Sequence, residues 1–152
     1  MSVFRSRGFD SLIGKDTKIK GDFLIAANST LIIDGEVTAS TILGLNLSDD
    51  KAASKTTLMV NGMLTILNRE VGASNLLISV PNVIVAGQVT CGELRVEGTL
   101  AVKSGARLNA KMIFYRKLVI ETGAVVHGQM CHLDHISQGE QGIGIPKGLN
   151  TL

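Results

Sequence analysis

The sequence predicts an all-β fold, a single-domain parallel β-helix of triangular section with about six coils. Three observations carry that reading: an apolar period of six residues, a glycine-centred motif that recurs six times, and seventeen glycines against two prolines in a chain that is 45% hydrophobic. So many glycines in so apolar a chain mark tight backbone corners rather than a disordered linker. At 152 residues the chain holds one sizeable core and is too short for two ordinary domains.

Residues 1–10 precede the first rung. They carry Arg5 and Arg7, but no apolar segment of signal-peptide length follows, so the expectation is a disordered tail on a cytoplasmic protein. The coiled domain is expected over residues 11–135. In its N-terminal half every sixth residue is apolar through Ile13, Ile19, Ile25, Leu31, Val37 and Leu43, with a companion series of Gly21, Ala27, Ile33, Ala39 and Leu45. Leu58 and Leu64 then go with Val60 and Ile66, and Val83 and Val89 with Val85 and Cys91. The C-terminal half is the most regular, with Leu94, Leu100, Ala106, Met112, Leu118, Ala124 and Met130 in one series. Two residues later run Val96, Val102, Leu108, Phe114, Ile120 and Val126. At 45% hydrophobic content, thirteen such positions in succession arise by chance at about 3 in 100,000, before allowing for the frames tried.

The frame shifts at 46–57, at 67–75 and at Gly92, which predicts loops or bulges there. The uncharged run 71–92 is long enough to raise a transmembrane reading, but Asn75, Ser79, Pro81, Asn82, Gln88 and Thr90 interrupt it, and a strand pair with a turn fits better. Residues 136–152, rich in glycine and polar side chains, are expected to form a flexible tail.

The motif Ile/Val-x-Gly-x-apolar is centred on Gly21, Gly35, Gly62, Gly87, Gly98 and Gly128. Residues 103–112 match residues 121–130 at an offset of eighteen, three hexads, which fits one coil of three short faces. Alternation along each face puts two apolar side chains per hexad inside, while stacked coils satisfy one another's backbone groups. Long helices need apolar residues three and four apart, which are missing here. An antiparallel sandwich shares the alternation but does not require a strict six-residue phase.

The entry segment Ile13-Gly-Lys-Asp-Thr-Lys-Ile-Lys-Gly-Asp22, the rung Ile33-Asp-Gly-Glu-Val37 and the closing Leu118-Val-Ile-Glu-Thr-Gly-Ala-Val-Val-His-Gly128 resemble characteristic stretches of the bactofilins. These are bacterial polymer-forming cytoskeletal proteins, and the likeness covers most of the chain. The resemblance implies a right-handed β-helix, end-to-end polymerisation without nucleotide, and a scaffolding role for cell shape or cell-wall machinery. The chain departs from the family pattern at 46–57, at 68–75 and at several corner glycines.

Open solenoid ends expose unpaired backbone groups and apolar stack positions. The candidate junction residues are Leu12, Ile13 and Phe23 at the first coil, with Ile120, Val126, Met130 and Leu133 at the last. The resemblance also implies a membrane-targeting peptide, and Met1-Ser-Val-Phe-Arg-Ser-Arg7 looks like one, with Met1, Val3, Phe4, Arg5 and Arg7 as its contacts. Val3 and Phe4, partly inserted, contribute ~2–4 kcal/mol together, and Arg5 and Arg7 about 1 kcal/mol each beside anionic lipid. Arraying such tails on a filament turns weak contacts into firm attachment. The implied partners are further copies of the chain, the inner face of the cytoplasmic membrane, and cell-wall enzymes or other scaffold proteins.

No residue is assigned a catalytic, cofactor-binding or metal-binding role. His127, Cys131, His132, Asp134 and His135 are the one cluster of metal-ligand types, but their spacing matches no zinc signature and a solvated terminal-coil role is preferred. The alternative is an enzyme of the left-handed hexapeptide-repeat type, an acyltransferase or zinc carbonic anhydrase, which shares the period. Such zinc enzymes draw histidines from separated coils, whereas all three here lie within nine positions. No phosphate-binding GxxxxGK[S/T] loop is present. A net charge of +2 with one tyrosine and no tryptophan gives neither the field nor the stacking platforms for nucleic acid. The basic strips at Lys15, Lys18 and Lys20 and at Lys111, Arg116 and Lys117 read as solvated faces. Cys91 and Cys131, forty positions apart, are expected to be reduced.

Overall fold

A computed structural model describes residues 10–45, 54–66 and 77–133. They wind as a parallel β-helix whose strands fall on three faces. The first face stacks β1 (Asp10–Ile13), β4 (Thr30–Ile33), β7 (Thr57–Val60) and β10 (Asn82–Val85), followed by the last parts of β11 (Gln88–Val102) and β12 (Arg107–Ile120). The second stacks β2 (Lys18–Lys20), β5 (Glu36–Ala39) and β8 (Met63–Ile66), then the opening parts of β11, β12 and β13 (Val125–His132). On the third lie β3 (Phe23–Ile25), β6 (Thr41–Gly44) and β9 (Leu77–Ser79), followed by the middle of β11 and β12 and the end of β13. Every pairing is parallel, and the described residues complete six coils. Leu100 pairs with Leu118 and Arg107 with Val125, eighteen residues on in each case, as the internal match predicts.

Branched and long aliphatic side chains stand above their equivalents one coil away. Ile33, Val60, Val85 and Val102 form one buried column. Val37, Leu64, Val89 and Leu108 form a second, and Ile42, Ile78, Leu94 and Ile113 a third. Each such burial contributes about 1.5–3 kcal/mol, and β-branched residues suit the pleated wall that presents them.

The phase departs from the strict hexad at the corner between the second and third faces. There the inward positions run Ala39 to Ile42 in the second coil and Ala110 to Ile113 in the fifth, a step of three residues where the hexad has four. Dropping one residue from the step moves the following side chains to the other surface of the wall. Leu43 and Leu45 are therefore exposed, Phe114 lies outside, and Ile42 and Ile113 take the inner places. In the fourth coil the same shortened step runs across Gly92, from buried Cys91 to Leu94, where the sequence predicts a shift.

Glycine fits the first corner because the coils approach there backbone to backbone. A Cβ on Gly62 would collide with the carbonyl oxygens of Gly35 and Asp34, and one on Gly87 with those of Gly62 and Asn61. The N–H of Met63 donates to the Gly35 carbonyl at 2.9 Å and that of Gln88 to the Gly62 carbonyl at 2.9 Å, which sets this spacing. The opposite corner, between third and first faces, is polar. Thr56, fully buried, donates from Oγ1 to the Leu45 carbonyl at 2.6 Å and accepts from the Asn28 N–H at 2.9 Å. Asn82 donates to the Ser54 carbonyl at 2.6 Å and accepts from the Thr99 N–H at 3.1 Å, carrying the network to the next coil.

Candidate assembly surfaces

The two ends of the stack hold strand edges with no further partner among the described residues. Among the described residues β1, β2 and β3 each pair on one side only, with β4, β5 and β6. At the other end β13 pairs with β12 alone, and the last part of β12 with β11 alone. Such an edge is a template for one more parallel strand at ~4.8 Å.

The side chains at these ends differ in exposure. Ile13 is 6% exposed, capping the column that continues through Ile33, while Ile19 and Phe23 are half-buried against the core. Leu12 points to the outer surface of the first face and is 64% exposed. At the last coil Leu118, Val126 and Met130 are half-buried and Ile120 is 46% exposed, and no described residue continues the apolar columns beyond them. Leu133 is buried. The structure thus brings Ile13 and Phe23 together at one end and Ile120, Val126 and Met130 at the other, with Leu12 outside the stack. Met1, Val3, Phe4, Arg5 and Arg7 lie outside the described residues.

The remaining chemistry is subdued. Burial, helped by the negative charge of Glu93, pushes the Cys91 thiol up to about 12, and burial also raises that of Cys131. Both cysteines are free, and a thiol held protonated is a poor nucleophile. Glu121 is held below the usual carboxylate range, first by the Ser104 N–H at 2.9 Å and then by the Lys103 ammonium at 3.3 Å, a pairing across one coil. Near the last coil the Tyr115 and His132 rings meet edge to face at 5.3 Å. Among the described residues no three His, Cys, Asp or Glu side chains group to hold a metal, and Asp134 and His135 lie outside those residues. No helix among the described residues is long and apolar enough to cross a membrane.

An apolar parallel β-helix whose end strands have no further strand partner among the described residues defines the class of protein. The profile of one family, bactofilin, described as polymer-forming cytoskeletal, matches residues 11–131, and the chain belongs to that family. No curated protein and no solved structure matches it.

Proposed function

We propose that this chain is a structural subunit whose rods join end to end into filaments without nucleotide, scaffolding cell-shape or cell-wall machinery at the inner face of the cytoplasmic membrane. The observation that carries the reading is the last coil, where half-exposed Ile120 at the end of β12 and half-buried Val126 and Met130 on β13 lie on strand edges with no further partner among the described residues. A further rod placed there continues the ladder and covers the apolar interior, so one contact satisfies both backbone and side chains. No catalytic step is assigned to any residue, in keeping with a structural, cytoskeletal family.

The test of the end contact is Met130→Glu. This variant is expected to keep its β circular dichroism and lose sedimentable polymer, and filaments of undiminished length would reject the interface. Membrane attachment is assigned to Met1, Val3, Phe4, Arg5 and Arg7. Deleting residues 1–7 is expected to abolish co-sedimentation with anionic vesicles and to spare polymerisation, whereas retained vesicle binding would remove that assignment.

A further inference from the structure

The outer surface of the first face carries an apolar ladder that no hexad describes. Leu12, Ile32, Met59, Ile84, Ala101 and Val119 are consecutive ladder partners, one from each coil. Leu12 and Val119 are at least half exposed, and the four between them are partly exposed. The stripe therefore runs the whole rod without a charge, about 24 Å over five strand spacings. Beside it runs a second outward column that starts at Asp10, continues through Thr30, Thr57, Asn82 and Thr99, and ends at Lys117. This column is neutral except for one negative charge at the first coil and one positive charge at the last.

We propose that this face pairs filaments laterally, packing against the same face of a second copy whose rod runs antiparallel. The proposal rests on the end-to-end reading above. Antiparallel pairing places Asp10 of each rod opposite Lys117 of the other, and brings Met59 opposite Ile84 at the centre. Parallel pairing would lay each polar column on the other rod's apolar stripe and bring the two Asp10 to the same level at one end and the two Lys117 at the other, so charge selects the antiparallel orientation. Size explains why pairing belongs to filaments. Two outward columns over six rungs cover roughly 400 Å², so one rod pair buries about 800 Å², below the ~1,200 Å² of a stable interface. A filament repeats the contact at every rod, and the contacts add through their tethering.

The experiment images nucleotide-free full-length protein by negative stain and measures filament width and length, with vesicle co-sedimentation alongside. Wild-type filaments are expected to be two rods wide. Ile84→Lys, at the middle of the stripe and away from both ends, is expected to yield filaments of normal length and single-rod width. Asp10→Lys and Lys117→Asp are each expected to reduce pairing, and the double variant to restore it, because restoration requires the two positions to face each other. Single-rod wild-type filaments overturn the pairing alone, and absence of any filament overturns the end-to-end reading with it. Double-variant filaments that stay single overturn the antiparallel arrangement. Loss of vesicle binding in Ile84→Lys with unchanged width overturns the proposal in favour of a lipid surface.

Discussion

Replacing Gly62 with alanine tests the corner geometry on which the coil spacing depends. Its Cβ would strike two backbone carbonyl oxygens, on Gly35 and Asp34, and backbone cannot swing aside as a flexible side chain can. The coils must separate locally. Overpacking of this kind costs about 3 kcal/mol at the upper end of its usual range. Separation also strains the bonds from Gly62 N–H to the Ile33 carbonyl and from Met63 N–H to the Gly35 carbonyl, both 2.9 Å, at about 1 kcal/mol each. The expected loss is therefore about 4–5 kcal/mol, a large share of the ~5–15 kcal/mol that holds a domain folded. Gly105→Ala is the matched control. Nothing lies within 4 Å of a Cβ there, but its φ of +83° costs an L-residue about 1–2 kcal/mol. Urea unfolding followed by far-ultraviolet circular dichroism, at two protein concentrations to separate assembly from folding, compares the two. A loss for Gly62→Ala no larger than that for Gly105→Ala would refute the close-approach argument.

Further outcomes follow from the interior. Thr56→Val keeps the shape but strands the Leu45 carbonyl and the Asn28 N–H, and urea midpoints are expected to report a loss of about 2–3 kcal/mol. Unchanged midpoints would show that corner to be held by packing alone. Iodoacetamide at pH 8 is expected to modify half-buried Cys131 before Cys91, whose buried thiol stays protonated; mass spectrometry of the labelled peptides gives the order, and earlier labelling of Cys91 would contradict its placement.

The columns of the fourth to sixth coils are legible in the sequence because apolar and polar residues alternate there, as in residues 94–102, where only one frame buries Leu94, Val96, Leu100 and Val102. At Ile42-Leu43 and at Met112-Ile113-Phe114 neighbouring residues are all apolar, so hydrophobicity offers no choice of phase and the hydrogen-bond register makes it. Thr56 reads in sequence as the end of an irregular segment; its burial arises from the Leu45 and Asn28 backbone groups that converge on it. The outer stripe is illegible for another reason. Leu12, Ile32, Met59, Ile84, Ala101 and Val119 are unequally spaced, and only the ladder registers align them. Leu12, placed by sequence at the end junction, is the first member of that stripe. The last coil was the more readable part of the site, since Ile120, Val126 and Met130 continue the inward series to its final turn.

Electron microscopy of purified, nucleotide-free protein across a range of salt concentrations, with sedimentation of the same samples, tests the central claim most directly. Filaments built from rods about 29 Å long, six coils at ~4.8 Å, are expected to form without nucleotide and to be lost in Met130→Glu. A discrete monomer or trimer under all conditions would contradict that claim.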